Sequence, residues 1–81
     1  MNKRKLALGN RNLVGRRVTE ARAKRGMKQK DLLAHLQVCG IEISSPALSL
    51  LEGQKRPVTD FELDALANVL NVEVDWLMAR K

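Results

Sequence analysis

The stretch from Gly26 to Arg56, GMKQKDLLAHLQVCGIEISSPALSLLEGQKR, most constrains what this chain can become, because it encodes two short amphipathic helices with a turn between them. In the first, Leu32, Leu33 and Leu36 recur at one-, three- and four-residue steps and so share one apolar face, while Lys30, Asp31 and His35 fall elsewhere. In the second, Ala47, Leu48 and Leu51 make the matching inward stripe. Opposite it lie Pro46, Ser49 and Gly53, with Ser45 and Leu50 on the flanks. That outer face is small and uncharged. A helix that serves only the core usually finishes its solvent side with Lys and Glu. A slim, bare face therefore predicts close approach by another molecule, for which the DNA major groove is one candidate.

The ends of these helices carry their own signals. The first begins near Lys28-Gln29, where free backbone N–H groups and the positive end of the helix dipole suit a phosphate. Lys28 is a poor N-cap, which points to an anion completing that end. The turn, Gln37 to Ser44, holds Gly40, with Ile41 and Ile43 able to pin it to the core. The second helix starts at Ser44 or Ser45. The backbone restriction before proline places the N-cap at Ser45 and Pro46 in the first helical position, where its missing N–H costs nothing. Gly53 and Gln54 close the helix, and Lys55-Arg56 follow at once, placed to meet a phosphate beside the groove.

On either side the pattern remains helical. Asn12 is a good N-cap for a helix in which Leu13, Val14, Val18 and Ala21 line one side and Gly26 supplies the stop. Thr59 with Glu62 makes a capping box, followed by Leu63, Leu66, Ala67 and Leu70 at helical spacing, and Asn71 can take the left-handed conformation that ends the run. Val74, Trp76, Leu77 and Met78 form a last short helix, part of which is a candidate for pairing two subunits. Trp76 and Phe61 are the only aromatics and are expected in the core, since both sit within apolar patterns away from the basic half. Cys39 reads as a half-buried small apolar residue.

Charge is unevenly spread. Residues 1–30 hold eleven Lys or Arg against Glu20 alone, a net of +10, whereas residues 31–81 net −4. This asymmetry makes a polyanion the default partner, nucleic acid before membrane; a merely solvated basic face is the plainer reading. Residues 1–12, MNKRKLALGNRN, read as a basic arm that tracks phosphates, enters a minor groove or simply solubilises the terminus, ahead of one domain over residues 13–81. One cysteine permits no internal disulfide, and no apolar run approaches the ~20 residues that span a bilayer, so a cytoplasmic protein is expected. Catalysis is not expected, nor a metal or cofactor. His35 is the sole histidine, no Cys/His cluster has metal spacing, and Gly53-Gln54-Lys55 lacks the rest of a phosphate loop.

With these residues in order, the segments VGRRVTEARAKRGMKQKDLL and ISSPALSLLEGQKRPVTDFELDALANVLNVEVDWLM resemble the XRE or Cro/phage-repressor-like helix-turn-helix family. The resemblance runs from Leu13 to Met78. It rests on Gly26-x-x-Gln29 opening the second helix, Glu52-Gly53 ending the third and Val74-Asp75-Trp76-Leu77 near the close, in this order. It implies an all-α, compact five-helix, lambda-repressor-like domain that binds double-stranded DNA, as a homodimer on a two-fold site. Gln29 would touch the phosphate backbone and support base contacts, with Lys28 and Lys30 beside it. Ser45, Pro46, Ser49 and Leu50 would face bases, with Ser44 at the start of that helix. Lys55 and Arg56 would meet the backbone. Arg22 and Glu52 match a family ion pair joining the first helix to the third and are assigned to structure.

Two features depart from the family. Between Leu36 and Ser44 the chain is longer than the usual tight turn by about five residues, and the glycine expected after Glu52-x comes one place early, as Gly53. The outer face of the third helix also lacks the Arg, Asn or Gln that give bidentate base contacts. Specificity would then come from DNA shape, the arm, or Gln29 and Gln54. The rival reading is a protein-interaction or antitoxin-like module that retains the fold, supported by the same apolar, weakly reading face.

Overall fold

The computed structural model describes residues 11–80, and these form five helices with no strand among them. They are α1 (Gly15–Lys24), α2 (Gln29–Val38), α3 (Ser45–Glu52), α4 (Asp60–Leu70) and α5 (Val74–Leu77). Residues 1–10 of the expected basic arm lie outside the described residues, as does Lys81. The radius of gyration is 11.7 Å, as expected of a chain this short when its helices close on one core.

That core is built almost wholly of aliphatic side chains. Val14, Val18 and Ala21 from α1 and its lead-in meet Leu32 and Leu36 of α2, Leu48 and Leu51 of α3, Leu66 and Leu70 of α4 and Leu77 of α5. α1 packs on α3, α4 and α5, while α2 packs on α3 and α4. Leu48 and Leu51 are fully buried and hold α3 down; truncating either to alanine would cost about 2–5 kcal/mol. No described helix is long and apolar enough to cross a membrane.

Each helix ends in the same way. The chain turns through a left-handed residue, at Gly26, Gly40, Gln54, Asn71 and Ala79 in turn, and the next N–H reaches back five residues: Met27 to Arg22 O, Ile41 to Leu36 O, Lys55 to Leu50 O, Val72 to Ala67 O and Arg80 to Asp75 O. This is the Schellman closure, which satisfies carbonyls left open at a helix end. Glycine takes that conformation without penalty, whereas a Cβ there costs roughly 1–2 kcal/mol. Gln54 takes this conformation after α3, at φ 62°, while Gly53 before it has an ordinary φ of −80°.

Several expectations need correcting. α3 is capped by Ser44, whose Oγ accepts from Ala47 N at 3.2 Å, not by Ser45. Pro46 consequently stands second in the helix, where its missing N–H is still one of the orphan donors, and the cap outweighs the preference of Ser45 for extended backbone. α1 starts at Gly15 rather than just after Asn12. Asn12 Oδ1 accepts from both Val14 N and Gly15 N, closing a turn ahead of the helix. α2 continues through Val38, so the link to α3 is shorter than the expected Gln37–Ser44 turn, with Ile43 buried and Ile41 half-buried.

Phe61 is 78% exposed instead of buried. It lies in the first turn of α4 beside an open groove lined by Cys39, Gly40, Ile41 and Glu42, and that link does not cover the ring. Cys39 is exposed rather than half-buried, since α2 ends before it can turn inward. Trp76 is half-buried against the core, with the Arg17 guanidinium 4.7 Å from its ring centre.

Candidate nucleic-acid interface

Two helix ends and one helix face come together at the candidate interface. At the start of α2, Lys28 occupies the N-cap position in extended backbone. A lysine ammonium cannot accept a hydrogen bond, so it offers the helix no cap. The anion that completes this end is partly the chain's own: Asp31 Oδ2 accepts from Lys28 N at 2.9 Å. The N–H groups of Gln29 and Lys30, in the first two helical positions, have no intrahelical acceptor and remain suited to an oxyanion. Lys28 and Lys30 are exposed and form no ion pair among the described residues.

The outward face of α3 carries Ser45, Pro46, Ser49 and Leu50, all exposed, with the cap Ser44 at its head. The Ser49 hydroxyl donates to Gln29 Oε1 at 3.1 Å. That bond ties the outer face of α3 to the first turn of α2 and fixes the half-buried Gln29 side chain. It leaves the Gln29 amide N–H groups and the Ser49 lone pairs available to another molecule. Nothing on this face is bulkier than Leu50, which is 46% exposed.

Past α3 the basic pair divides. Lys55 is exposed and forms no ion pair among the described residues. Arg56 is held by Glu62 through two hydrogen bonds of 3.2 Å, with only 27% and 10% of the two side chains exposed. Its charge is spent inside the protein, fastening the chain after α3 to the first turn of α4. Glu62 Oε1 also accepts from Thr59 N within the capping box. Gln54 likewise turns inward, its Nε2 donating to Asn12 O at 3.3 Å. Lys55 is therefore the cation that the structure leaves open on this side.

Arg22 and Glu52 join α1 to the last turn of α3 by two hydrogen bonds of 3.0 Å. Arg22 also donates to Met27 O, just ahead of α2, and the Thr19 hydroxyl stands 3.1 Å from Glu52 Oε1. One guanidinium thus spans the α1 end, the α2 lead-in and the α3 end. Compared with protein-family models, curated proteins and solved structures, the chain finds no match.

Asn12, expected only to cap the first helix, also makes long-range bonds that its sequence position does not announce. Asn12 Nδ2 donates to Leu51 O at 3.1 Å and to Arg56 O at 2.8 Å, while its Oδ1 holds the turn into α1. It locks the end of α3 against the start of α1. Gly15 allows the contact: a Cβ there would overlap Leu51 O and lie 2.9 Å from Glu52 O. The signal in the sequence was an asparagine three residues ahead of a glycine at the head of a helix, but its long-range partners have no local signature.

Proposed function

We propose that this chain is a sequence-specific DNA-binding transcriptional regulator of the helix-turn-helix type, a dimeric repressor that acts by covering a promoter. The observation that carries this reading is the Ser49–Gln29 hydrogen bond. It makes the open donors at the α2 start and the slim face of α3 one continuous surface. A phosphate held at the first and a base edge met by the second then belong to a single docking event. Lys28, Lys30 and Lys55 add phosphate-seeking charge around that surface. In a dimer, two such helices would enter successive major grooves about 34 Å apart.

Base reading through this face is of limited range. Ser45 and Ser49 can pair with almost any base edge, and Pro46 or Leu50 can contact a thymine methyl. With Gln54 and Arg56 engaged inside the protein, Gln29 is the one side-chain amide on this surface placed for a base or phosphate. Sequence-dependent shape of the duplex would supply much of the selectivity.

Selection of bound duplexes from a randomised pool, at two salt concentrations, tests the proposal. Enrichment of a two-fold motif supports it. Salt-sensitive retention without enrichment would reduce it to non-specific binding, and no retention at low salt would refute it. A reporter raised rather than lowered by the protein would count against repression. The rival reading, a module that binds another protein, draws on the exposed Val38 and Phe61, at 87% and 78%. It predicts no retention on DNA and little dependence on salt.

A further inference from the structure

We propose that the hollow between the last turn of α1 and the α4–α5 junction binds a small amphipathic anion, a flat apolar body bearing one carboxylate. The hollow is open to solvent on one side and offers about 470 Å3, a volume in the range of small-molecule sites, roughly 300–1,000 Å3. Its apolar wall is made by Leu70, Val72 and Trp76, and its rim carries Lys24, Arg25 and Glu73. An apolar body lying along the wall can set a carboxylate at its polar end against Lys24 and Arg25 on that rim. A neutral molecule of the same shape forgoes that attraction.

Both cations are open to such a ligand. Lys24 pairs only with Glu20, at 4.0 Å between side chains 72% and 52% exposed, an arrangement that contributes little and is readily exchanged. Arg25 makes one long bond, 3.4 Å to Val69 O, which leaves most of its five donors and its capacity for a bidentate carboxylate contact. The wall is already set. Arg17 donates to Trp76 O at 3.1 Å and lies over the indole ring, so Trp76 is held in place before any ligand arrives and less ordering cost falls on binding. The site shares no residue with the surface around Gln29 and Ser49, so it stands or falls separately from DNA binding.

Trp76 is the only tryptophan in the chain, and its indole N–H gives a single, separately readable NMR signal. Titration of the 15N-labelled protein with 2-naphthoate should shift that signal and the amides of Arg25 and Val72 saturably. Neutral 2-naphthylmethanol should bind at least tenfold more weakly. Arg25→Gln should weaken 2-naphthoate at least fivefold while lowering the melting temperature by no more than a few degrees, because the side chain is exposed and makes one long bond; Lys24→Gln provides the same test should that variant be unstable. The proposal is overturned if no shift saturates at millimolar probe, if both probes bind alike, if neither variant matters, or if the shifts centre on Lys28, Gln29 and Ser49.

Discussion

Asn12 and Leu51 are 39 residues apart in the chain and are joined by a 3.1 Å hydrogen bond from the Asn12 amide to the Leu51 carbonyl. The same nitrogen reaches Arg56 O at 2.8 Å, and the Asn12 oxygen caps the turn into α1. One side chain thus serves the end of one helix and the entry to another. Asn12→Ala removes the turn's acceptor and the donor to Arg56 O, and leaves Leu51 O with Gln54 N alone, a loss of about 1–3 kcal/mol. Urea unfolding should show it. Asn12→Asp keeps the acceptor but sets a carboxylate oxygen against the Leu51 and Arg56 carbonyls, and should destabilise at least as much; a wild-type midpoint for the alanine variant would show that water replaces these bonds fully.

Gly15→Ala should destabilise although alanine is the better helix former. Its methyl would press on the carbonyls of Leu51 and Glu52, and such backbone neighbours yield only by moving α1 off α3. The expected cost is about 1–3 kcal/mol, visible as a lowered melting temperature. A raised one would mean that the two helices separate easily.

Glu52→Ala should lower stability before it affects DNA contacts. It strands the Arg22 guanidinium, whose side chain is only 17% exposed, and an ion pair this shielded costs about 3 kcal/mol when one partner is removed. A thermal melt decides this, and an unchanged transition would contradict it.

Lys55 and Arg56 should separate cleanly, despite being neighbours. Lys55→Ala should leave the melting temperature alone and reduce the slope of log affinity against log salt by about 0.9, the loss of one phosphate contact. Arg56→Ala should do the reverse, because it leaves the Glu62 carboxylate shielded and without its cation. Equal salt slopes for the two variants would show that Arg56 leaves Glu62 to meet DNA.

What was legible in the sequence was local. The Thr59–Glu62 box, the left-handed Asn71 and the stop at Gly26 each depend on residues within one turn, and the five apolar stripes follow from helical spacing alone. The Ser44 cap was missed by one position because two local preferences, capping and the restriction before proline, compete there. Phe61 and Cys39 were misplaced for a different reason. Spacing tells which residues share a face, not whether another segment reaches far enough to cover it. Arg56 read as a free cation because Glu62 had already been assigned to its cap, and a carboxylate has room for both.

The Asn12 clamp also determines how the basic segment before it can act. Since Asn12 is fastened to the end of α3, residues 1–10 depart from a point that travels with that helix. If α3 docks as proposed, any contact made by residues 1–10 is intramolecular. Its strength is then governed by tether length and effective concentration rather than by a separate encounter. Shortening the segment, even with its charges kept, would act on avidity.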